Sequence, residues 1–199
     1  IFLGLNKKKI NKLLSFGGAY SNHLAALAKA GNLYNVKTIG IIRGKEWETK
    51  YLLNPTLSFC KKNNIYLYFV SREEYRLYEQ GITSKKIINS NSDIKIIGEG
   101  GKCTEAIKGC QEILTPYDKD FDTVCVSVGT GFTLSGVIES SNSNQFVLGF
   151  LSLKHKKMKK EILKNTSRIN WELIDDYIFK GYAKVNEELI NFINDFYKE

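Results

Sequence analysis

The sequence predicts an α/β protein with parallel sheets, because strand patterns and helix patterns alternate along nearly all of its 199 residues. Apolar, β-branched runs such as "VKTIGIIRG" have the character of buried strands, and stretches such as "SNHLAALAKAGNLYN" carry apolar residues at helical spacing. Alternation of this kind implies sheets covered by helices on both faces. Right-handed crossovers place every strand-to-helix turn at one edge of its sheet, where ligands bind.

The first half of the chain predicts three strands and three helices. "LLSFGG" is a strand that ends in glycines, and a helix follows with Ser21 as its N-cap. After "VKTIGIIRG", the next helix has Asn54 as N-cap and Pro55 in its first position, where proline loses no hydrogen bond. "IYLYFVS" predicts a third strand and "REEYRLYEQ" a third helix. The polar stretch "GITSKKIINSNSD" is interpreted as a domain boundary or a mobile loop.

The second half repeats the alternation. It begins with the strand "IKIIGEGG" and the helix "CTEAIKGCQEIL", followed by the strand "DTVCVSVGTG", which is apolar on both faces and predicted to be wholly buried. "FTLSGVIESS", "QFVLGFLSL" and "KKMKKEILKN" continue as helix, strand and helix, and a strand in "NWELIDDYIFK" precedes the helix "NEELINFINDFYKE". We therefore predict two three-layer α/β/α domains, a smaller one over residues 1–95 and a larger one over residues 96–199.

The composition argues against several classes of protein, including nucleic-acid readers and membrane-spanning proteins. The net charge of +8 comes mostly from scattered lysines, with only four arginines, which argues against a nucleic-acid reader. The densest basic cluster, "KHKKMKK", is interpreted as a solvated helix face. No apolar run is long enough for a membrane span, and the four cysteines form no C-x-x-C pair. We expect no metal site, free thiols and a cytoplasmic location.

The turn "VGTGFTLSG" is the strongest chemical motif. It joins a strand to a helix start, where free N–H groups and the helix dipole favour an anion, and its threonines add hydroxyl donors. A dinucleotide fingerprint would need glycine or alanine in place of Leu134, and a Walker A loop would need Gly-Lys-Ser/Thr after the glycines. We interpret the turn as a phosphate cradle, with a tight turn that needs glycine for its shape as the alternative.

The stretch "GGAYSNH" is less specific by itself. Ser21 has a structural role as an N-cap, Asn22 could lie on the helix surface, and His23 could bond to a neighbouring carbonyl. No Gly-x-Ser-x-Gly elbow is present, so a hydrolase triad is disfavoured.

Five stretches taken in order, "LLSFGGAYSNH", "NPTL", "EGG", "VGTGFTLSG" and "GYAKVNEELI", resemble the pyridoxal-phosphate (PLP) enzymes of the D-cysteine desulfhydrase and 1-aminocyclopropane-1-carboxylate deaminase group. The resemblance covers essentially the whole chain and implies the tryptophan synthase beta-like fold, with PLP held between two domains. It implies that a phosphate loop holds the cofactor, with these members: Gly129, Thr130, Gly131, Phe132 and Thr133.

The resemblance also assigns roles to three other residues. Asn22 would donate to the phenolic oxygen of the cofactor ring, Ser21 would face the substrate and assist proton transfer, and Tyr182 would be an active-site tyrosine. The implied enzyme is a lyase or hydrolase of amino-acid metabolism, and family members are commonly homodimers. It would convert D-cysteine to pyruvate, sulfide and ammonia, or 1-aminocyclopropane-1-carboxylate to 2-oxobutyrate and ammonia.

The chain departs from the family pattern in several places. Phe132 stands where the family usually has glycine, and the turn after "EGG" differs from its usual Thr-Asn-Glu-like start. By the family's usual spacing, its Schiff-base lysine would fall before Ile1 and its second catalytic tyrosine beyond Glu199. We therefore expect an internal fragment, inactive alone. The alternative is an inactive remnant or a phosphate or amino-acid binding module that lacks the lysine.

Overall fold

The computed structural model describes residues 11–178 and 184–198 of the chain. The chain divides into two compact units, Ile1–Cys103 and Thr104–Glu199, and each contains one sheet. All strand pairs in both sheets are parallel, which confirms the predicted α/β class. We predicted a partition after residue 95, and the compact units divide after Cys103.

The first unit has a four-stranded sheet in the order β3-β2-β1-β4. Its strands are β1 (Lys12–Gly18), β2 (Lys37–Arg43), β3 (Tyr66–Val70) and β4 (Ile94–Ile97). Its helices are α1 (Asn22–Leu33), α2 (Pro55–Lys62), α3 (Arg72–Arg76) and α4 (Ile82–Asn89). Short 3-10 helices occur at Lys45–Trp47, Tyr51–Leu53, Tyr78–Gln80 and Glu99–Gly101.

Two apolar cores lie on the two faces of this sheet, because successive side chains of a strand point to opposite faces. Leu13 of β1 packs in one core with Leu24 and Leu27 of α1. Leu14 and Phe16 pack in the other core with residues that include Tyr75 and Ile87. The central strand β1 is therefore buried on both sides, as a parallel sheet covered by helices requires.

The two N-caps predicted in the first unit, Ser21 and Asn54, are confirmed. The Ser21 hydroxyl accepts a hydrogen bond from the Leu24 N–H at 3.3 Å, and the Asn54 side-chain oxygen accepts one from the Leu57 N–H at 2.9 Å. Pro55 occupies the first turn of α2, as predicted. These caps satisfy N–H groups that a helix start cannot pair internally.

Two sequence-based interpretations near the unit boundary are wrong. The polar stretch after Gln80 contains helix α4, whose Ser84 and Ile87 are buried and whose Thr83 N–H donates to Glu74 Oε1 at 2.6 Å. The strand β4, which we grouped with the second half, pairs with β1 in the first sheet. A short apolar strand does not specify its partner, because the pairing depends on contacts distant in sequence.

The second unit has a three-stranded sheet in the order β5-β6-β7. Its strands are β5 (Thr123–Val128), β6 (Phe146–Leu151) and β7 (Trp171–Ile174), and its helices are α5 (Thr104–Cys110), α6 (Phe132–Ser140), α7 (Met158–Ile162) and α8 (Glu187–Phe196). The core packs α6 and α7 on one face of this sheet.

The prediction that β5 is wholly buried is wrong. Thr123, Cys125 and Ser127 are exposed on one face of the strand, whereas Val124 and Val126 pack against the core on the other. Residues of both faces are small or apolar, so the sequence pattern could not separate a buried face from an open one.

Among residues 11–178 and 184–198, no helix is both long and apolar enough to cross a membrane.

Candidate functional site

The turn Gly129–Gly131 joins the end of β5 to the start of α6. Gly131 is the N-cap residue of α6 and has φ 86°, a left-handed conformation that favours glycine. A Cβ atom at this position would lie 2.9 Å from Met158 Sδ and 3.4 Å from Ile162 Cγ1. The glycine at 131 is therefore required by the fold of the turn and by its packing on α7.

Unlike Gly131, Gly129 is not required by the fold of the turn. It is exposed, and a Cβ atom built on it would meet no atom of the described residues within 4 Å. Its φ is not in the left-handed region, so neither packing nor backbone shape demands glycine there. A residue without a side chain leaves the adjacent N–H groups open to a ligand.

The other loop residues present polar groups around this open side. Thr130 and Thr133 are exposed, and Phe132 is half-buried. Because the N-cap Gly131 has no side chain, it cannot accept hydrogen bonds from the first-turn N–H groups of α6. The turn thus combines a helix start with exposed hydroxyl groups, which is the arrangement that binds an anion.

The last glycine of the motif has a packing role. A Cβ atom on Gly136 would collide with Cys110 Cβ and lie 2.7 Å from the Ile107 carbonyl oxygen. Gly136 therefore lets α5 and α6 approach closely.

Ser21 and Asn22 lie together at the start of α1. The Ser21 N–H donates to the Gly18 carbonyl at 3.1 Å, and its hydroxyl accepts from the Leu24 N–H. Gly17 allows this turn, since a Cβ there would lie 2.7 Å from Ser21 Oγ. Asn22 is exposed, and its side chain bonds to no group among the described residues. Within the described residues, no hydrogen bond therefore occupies the amide of Asn22.

His23 is held inside the first unit by a hydrogen-bond chain. Its Nε2 lies 2.8 Å from Ser15 Oγ, and the Ser15 hydroxyl donates to the Ile97 carbonyl at 2.8 Å. Since that hydroxyl has only one proton, it must accept from a protonated Nε2. Burial lowers the pKa of His23, while the charge of Glu99 opposes this shift. The chain ties the α1 start to β1 and to the end of β4.

Glu99 is the centre of a cluster that the sequence analysis missed. The Tyr75 hydroxyl donates to Glu99 Oε1 at 2.7 Å, and the Tyr78 hydroxyl donates to Oε2 at 2.7 Å. The hydrogen bond to Glu99 raises the pKa of Tyr78 to about 12, and burial together with Glu99 raises that of Tyr75. Tyr78 has φ 46°, and Gly100 and Gly101 follow with φ 69° and 79°. No sequence signal links residues so far apart, although "EGG" marked the turn.

Tyr182, which was predicted to be catalytic together with Ser21, lies outside the described residues. Within the part of the chain that the structure describes, no group of three His, Cys, Asp or Glu side chains could hold a metal ion.

No protein-family model matches the chain. A Thermotoga maritima protein provisionally named 1-aminocyclopropane-1-carboxylate deaminase is 26% identical over 216 aligned residues, which cover 95% of this chain and 66% of that protein. Among solved structures, an ACC deaminase homologue superposes with a TM-score of 0.74 at 21% identity, covering 98% of this chain and 64% of its own.

Two further structures are similar at lower coverage. A pyridoxal 5'-phosphate-dependent aspartate racemase has a TM-score of 0.59 at 18% identity and covers 81% of this chain and 46% of its own. A threonine deaminase has a TM-score of 0.52 at 14% identity, with 74% of this chain and 48% of its own covered.

These matches confirm the resemblance found in the sequence. The chain has the tryptophan synthase beta-like fold of the PLP-dependent deaminases and racemases. It spans about two thirds of the length of the curated relative and of the ACC deaminase homologue. Three of these proteins are named as deaminases or a deaminase homologue, which fits the expected lyase class and does not support the hydrolase class that we also expected.

Proposed function

We propose that this protein is a PLP-dependent enzyme, or part of one, that removes ammonia from a small amino acid. The observation that carries the proposal is the Gly129–Thr133 turn at the start of α6, with its open side at Gly129. The similarity to a deaminase homologue and to a PLP-dependent racemase supports it.

The residues of the turn fit a phosphate group. Main-chain N–H groups at the start of α6 and the exposed hydroxyls of Thr130 and Thr133 are suitable donors. Phe132 keeps its N–H, and because it is half-buried its ring need not fill the open side at Gly129. The turn would therefore hold the cofactor phosphate although Phe132 stands where the family usually has glycine.

The start of α1 would serve the cofactor ring and the substrate. The free side-chain amide of Asn22 would donate to the phenolic oxygen of the ring. The Ser21 hydroxyl accepts from the Leu24 N–H, and its own proton has no acceptor among the described residues. Ser21 can therefore donate that proton to a substrate or take part in its transfer.

Bound PLP supplies an electron sink for a carbanion at the substrate α-carbon. The protein's part is to hold the phosphate, orient the ring and move protons. With D-cysteine and water the products would be pyruvate, sulfide and ammonia, and with 1-aminocyclopropane-1-carboxylate and water they would be 2-oxobutyrate and ammonia. A cytoplasmic homodimer stays a prediction.

The test compares PLP with pyridoxal, which lacks the phosphate, by isothermal titration and by visible absorbance. We expect PLP to bind at least tenfold more tightly, since its phosphate makes charge-assisted hydrogen bonds. Gly129→Ala should reduce this preference by placing a methyl group on the open side. Gly109→Ala is the matched control, because its Cβ also meets nothing within 4 Å but lies on α5. Equal binding of both compounds would refute the proposal.

A measurement of ammonia release distinguishes an enzyme from a binding module. We expect ammonia from D-cysteine or from 1-aminocyclopropane-1-carboxylate when PLP is added to the protein encoded by its intact reading frame. Tight PLP binding without ammonia from either compound would favour a binding module.

A further inference from the structure

We propose that the basic segment at residues 154–160 is an outer anion-recognition surface that draws a phosphate-bearing ligand to the turn at residues 129–133. This inference rests on the proposed function, because it concerns the phosphate group of the same ligand at the same site. The segment, "KHKKMKK", is the densest basic cluster of the chain. Its place in the fold, its exposure and its charge relative to nearby acids support the proposal.

The basic segment begins at the same edge of the second sheet as the turn. Strand β6 ends at Leu151, which is paired with Val128 at the end of β5. The Ser152 N–H donates to the Val128 carbonyl at 3.1 Å, so the chain that leaves β6 starts beside the residue that precedes the turn. Only Leu153 separates Ser152 from the basic segment.

Helix α7, which begins within the basic segment, packs against the turn. Met158 and Ile162 are buried, and a Cβ atom on Gly131 would meet them at 2.9 and 3.4 Å. Consecutive Cα atoms are about 3.8 Å apart, so Lys157 and Lys159 are held beside a residue that contacts the turn. The basic segment therefore has a fixed position next to the turn.

The five lysines of the basic segment are exposed, as expected for a solvated face. None of their ammonium groups forms an ion pair with a carboxylate of the described residues; they are Lys154, Lys156, Lys157, Lys159 and Lys160. A lysine ammonium is a mobile point charge, which attracts an anion without fixing its orientation. That property suits a surface where an anion first arrives, whereas the N–H groups of the turn would hold it.

The acids near the turn do not balance these charges. From residue 129 to residue 164 the chain has six lysines and two acidic residues, Glu139 and Glu161. Helix α5, which packs on α6, adds one acid and one base, Glu105 and Lys108. The elements that contact the turn therefore carry more positive than negative charge.

Two further acids, Asp175 and Asp176, follow β7 at the same edge of the sheet. Strand β6 lies between β7 and β5, and neighbouring strands are about 4.8 Å apart. The end of β7 is therefore farther from the turn than the end of β6, which leads into the basic segment. A local excess of one charge raises the concentration and the association rate of a ligand of opposite charge.

The test is a titration of the nitrogen-15-labelled whole protein with inorganic phosphate at constant ionic strength, followed at the amides of the turn. At an ionic strength of about 0.01 M, where the Debye length is about 30 Å, the double variant Lys156→Gln, Lys157→Gln should bind phosphate about three- to tenfold more weakly. In about 1 M salt, where the Debye length is about 3 Å, the difference should fall below about twofold.

The matched control is Lys85→Gln, Lys86→Gln, which removes two consecutive exposed lysines from α4 in the first unit. It lowers the net charge by the same amount, and phosphate binding at the turn should change by less than about twofold. Circular dichroism checks that each variant is folded. Lys154→Gln, Lys160→Gln is the second test variant, and we expect it to weaken binding in the same direction.

The outcomes are distinct from those of the proposed function, because PLP is titrated in parallel. Phosphate binding that is equal in the wild-type protein and both test variants overturns the inference, as does an equal loss in the control or no saturable shift at the turn. Phosphate binding that depends on these lysines, in a protein that does not bind PLP, refutes the proposed function alone. Binding of PLP at the turn that is unaffected by both test variants at low salt overturns the inference alone.

Discussion

Replacing Gly131 with alanine should destabilise the second unit, whereas the same replacement at Gly129 should not. The two glycines are two residues apart in one turn, but only Gly131 has a left-handed φ, of 86°. Only Gly131 lies against other residues, with Met158 Sδ 2.9 Å from the position of an added Cβ. The pair therefore separates a glycine needed for folding from one that leaves room for a ligand.

The expected cost at Gly131 has two parts. A left-handed backbone costs an alanine about 1–2 kcal/mol, and an extra methyl in a packed site costs about 1–3 kcal/mol. Met158 is a flexible side chain and can move away in part, so we expect about 3 kcal/mol in all. For a chain of this size such a loss lowers the melting temperature by about 6–12 °C. Gly129→Ala should change it by less than about 2 °C.

Trp171 reports on the unit concerned. It is 9% exposed, packs in the same core as Met158 and Ile162, and donates from Nε1 to the Arg168 carbonyl at 2.8 Å. Since Trp47 is the other tryptophan, a Trp47→Phe background makes thermal unfolding followed by fluorescence specific for the second unit. Equal melting temperatures for the two alanine variants would refute this account of the turn.

Two other predictions concern buried titratable groups. His23 has a pKa below its ordinary value of 6.5, so the unfolded chain binds a proton that the folded chain does not, and the free energy of unfolding should fall as the pH drops below 6.5. His23→Gln should flatten this dependence in urea unfolding, and a dependence as steep in His23→Gln as in the wild-type protein would contradict the burial of His23. Burial raises the pKa of Cys60 to about 11, so Cys60 should react with a thiol reagent only after unfolding, whereas the exposed Cys125 should react in the folded protein. Mass spectrometry of the modified peptides would show which cysteine reacts. Labelling of Cys60 in the folded protein would contradict its burial in the core that contains Leu13 and Leu24.

Local signals predicted the helix starts and the glycine turns well. Ser21, Asn54 and Pro55 act within three residues of themselves, so their roles follow from the sequence alone. The motif "VGTGFTLSG" also identified the turn that contains Gly131. The sequence could not show, however, that the fold needs glycine at 131 whereas Gly129 is open to solvent.

Long-range contacts explain what the sequence did not predict. The partners of Glu99 are 24 and 21 residues away, and β4 pairs with a strand about eighty residues earlier. Helix α4 was not predicted, because the stretch is rich in polar residues and provides no side-chain N-cap of its own. The group that caps its start is Glu74, which lies outside the stretch.

The most direct test of the central claim is a titration of the nitrogen-15-labelled protein with PLP, followed by amide chemical shifts. If the Gly129–Thr133 turn holds the cofactor phosphate, the largest shifts should occur at the amides of that turn, with further changes at Ser21 and Asn22. Pyridoxal without its phosphate should leave the turn unchanged. Shifts confined to other parts of the chain, or no saturable shifts at the turn, would contradict the claim.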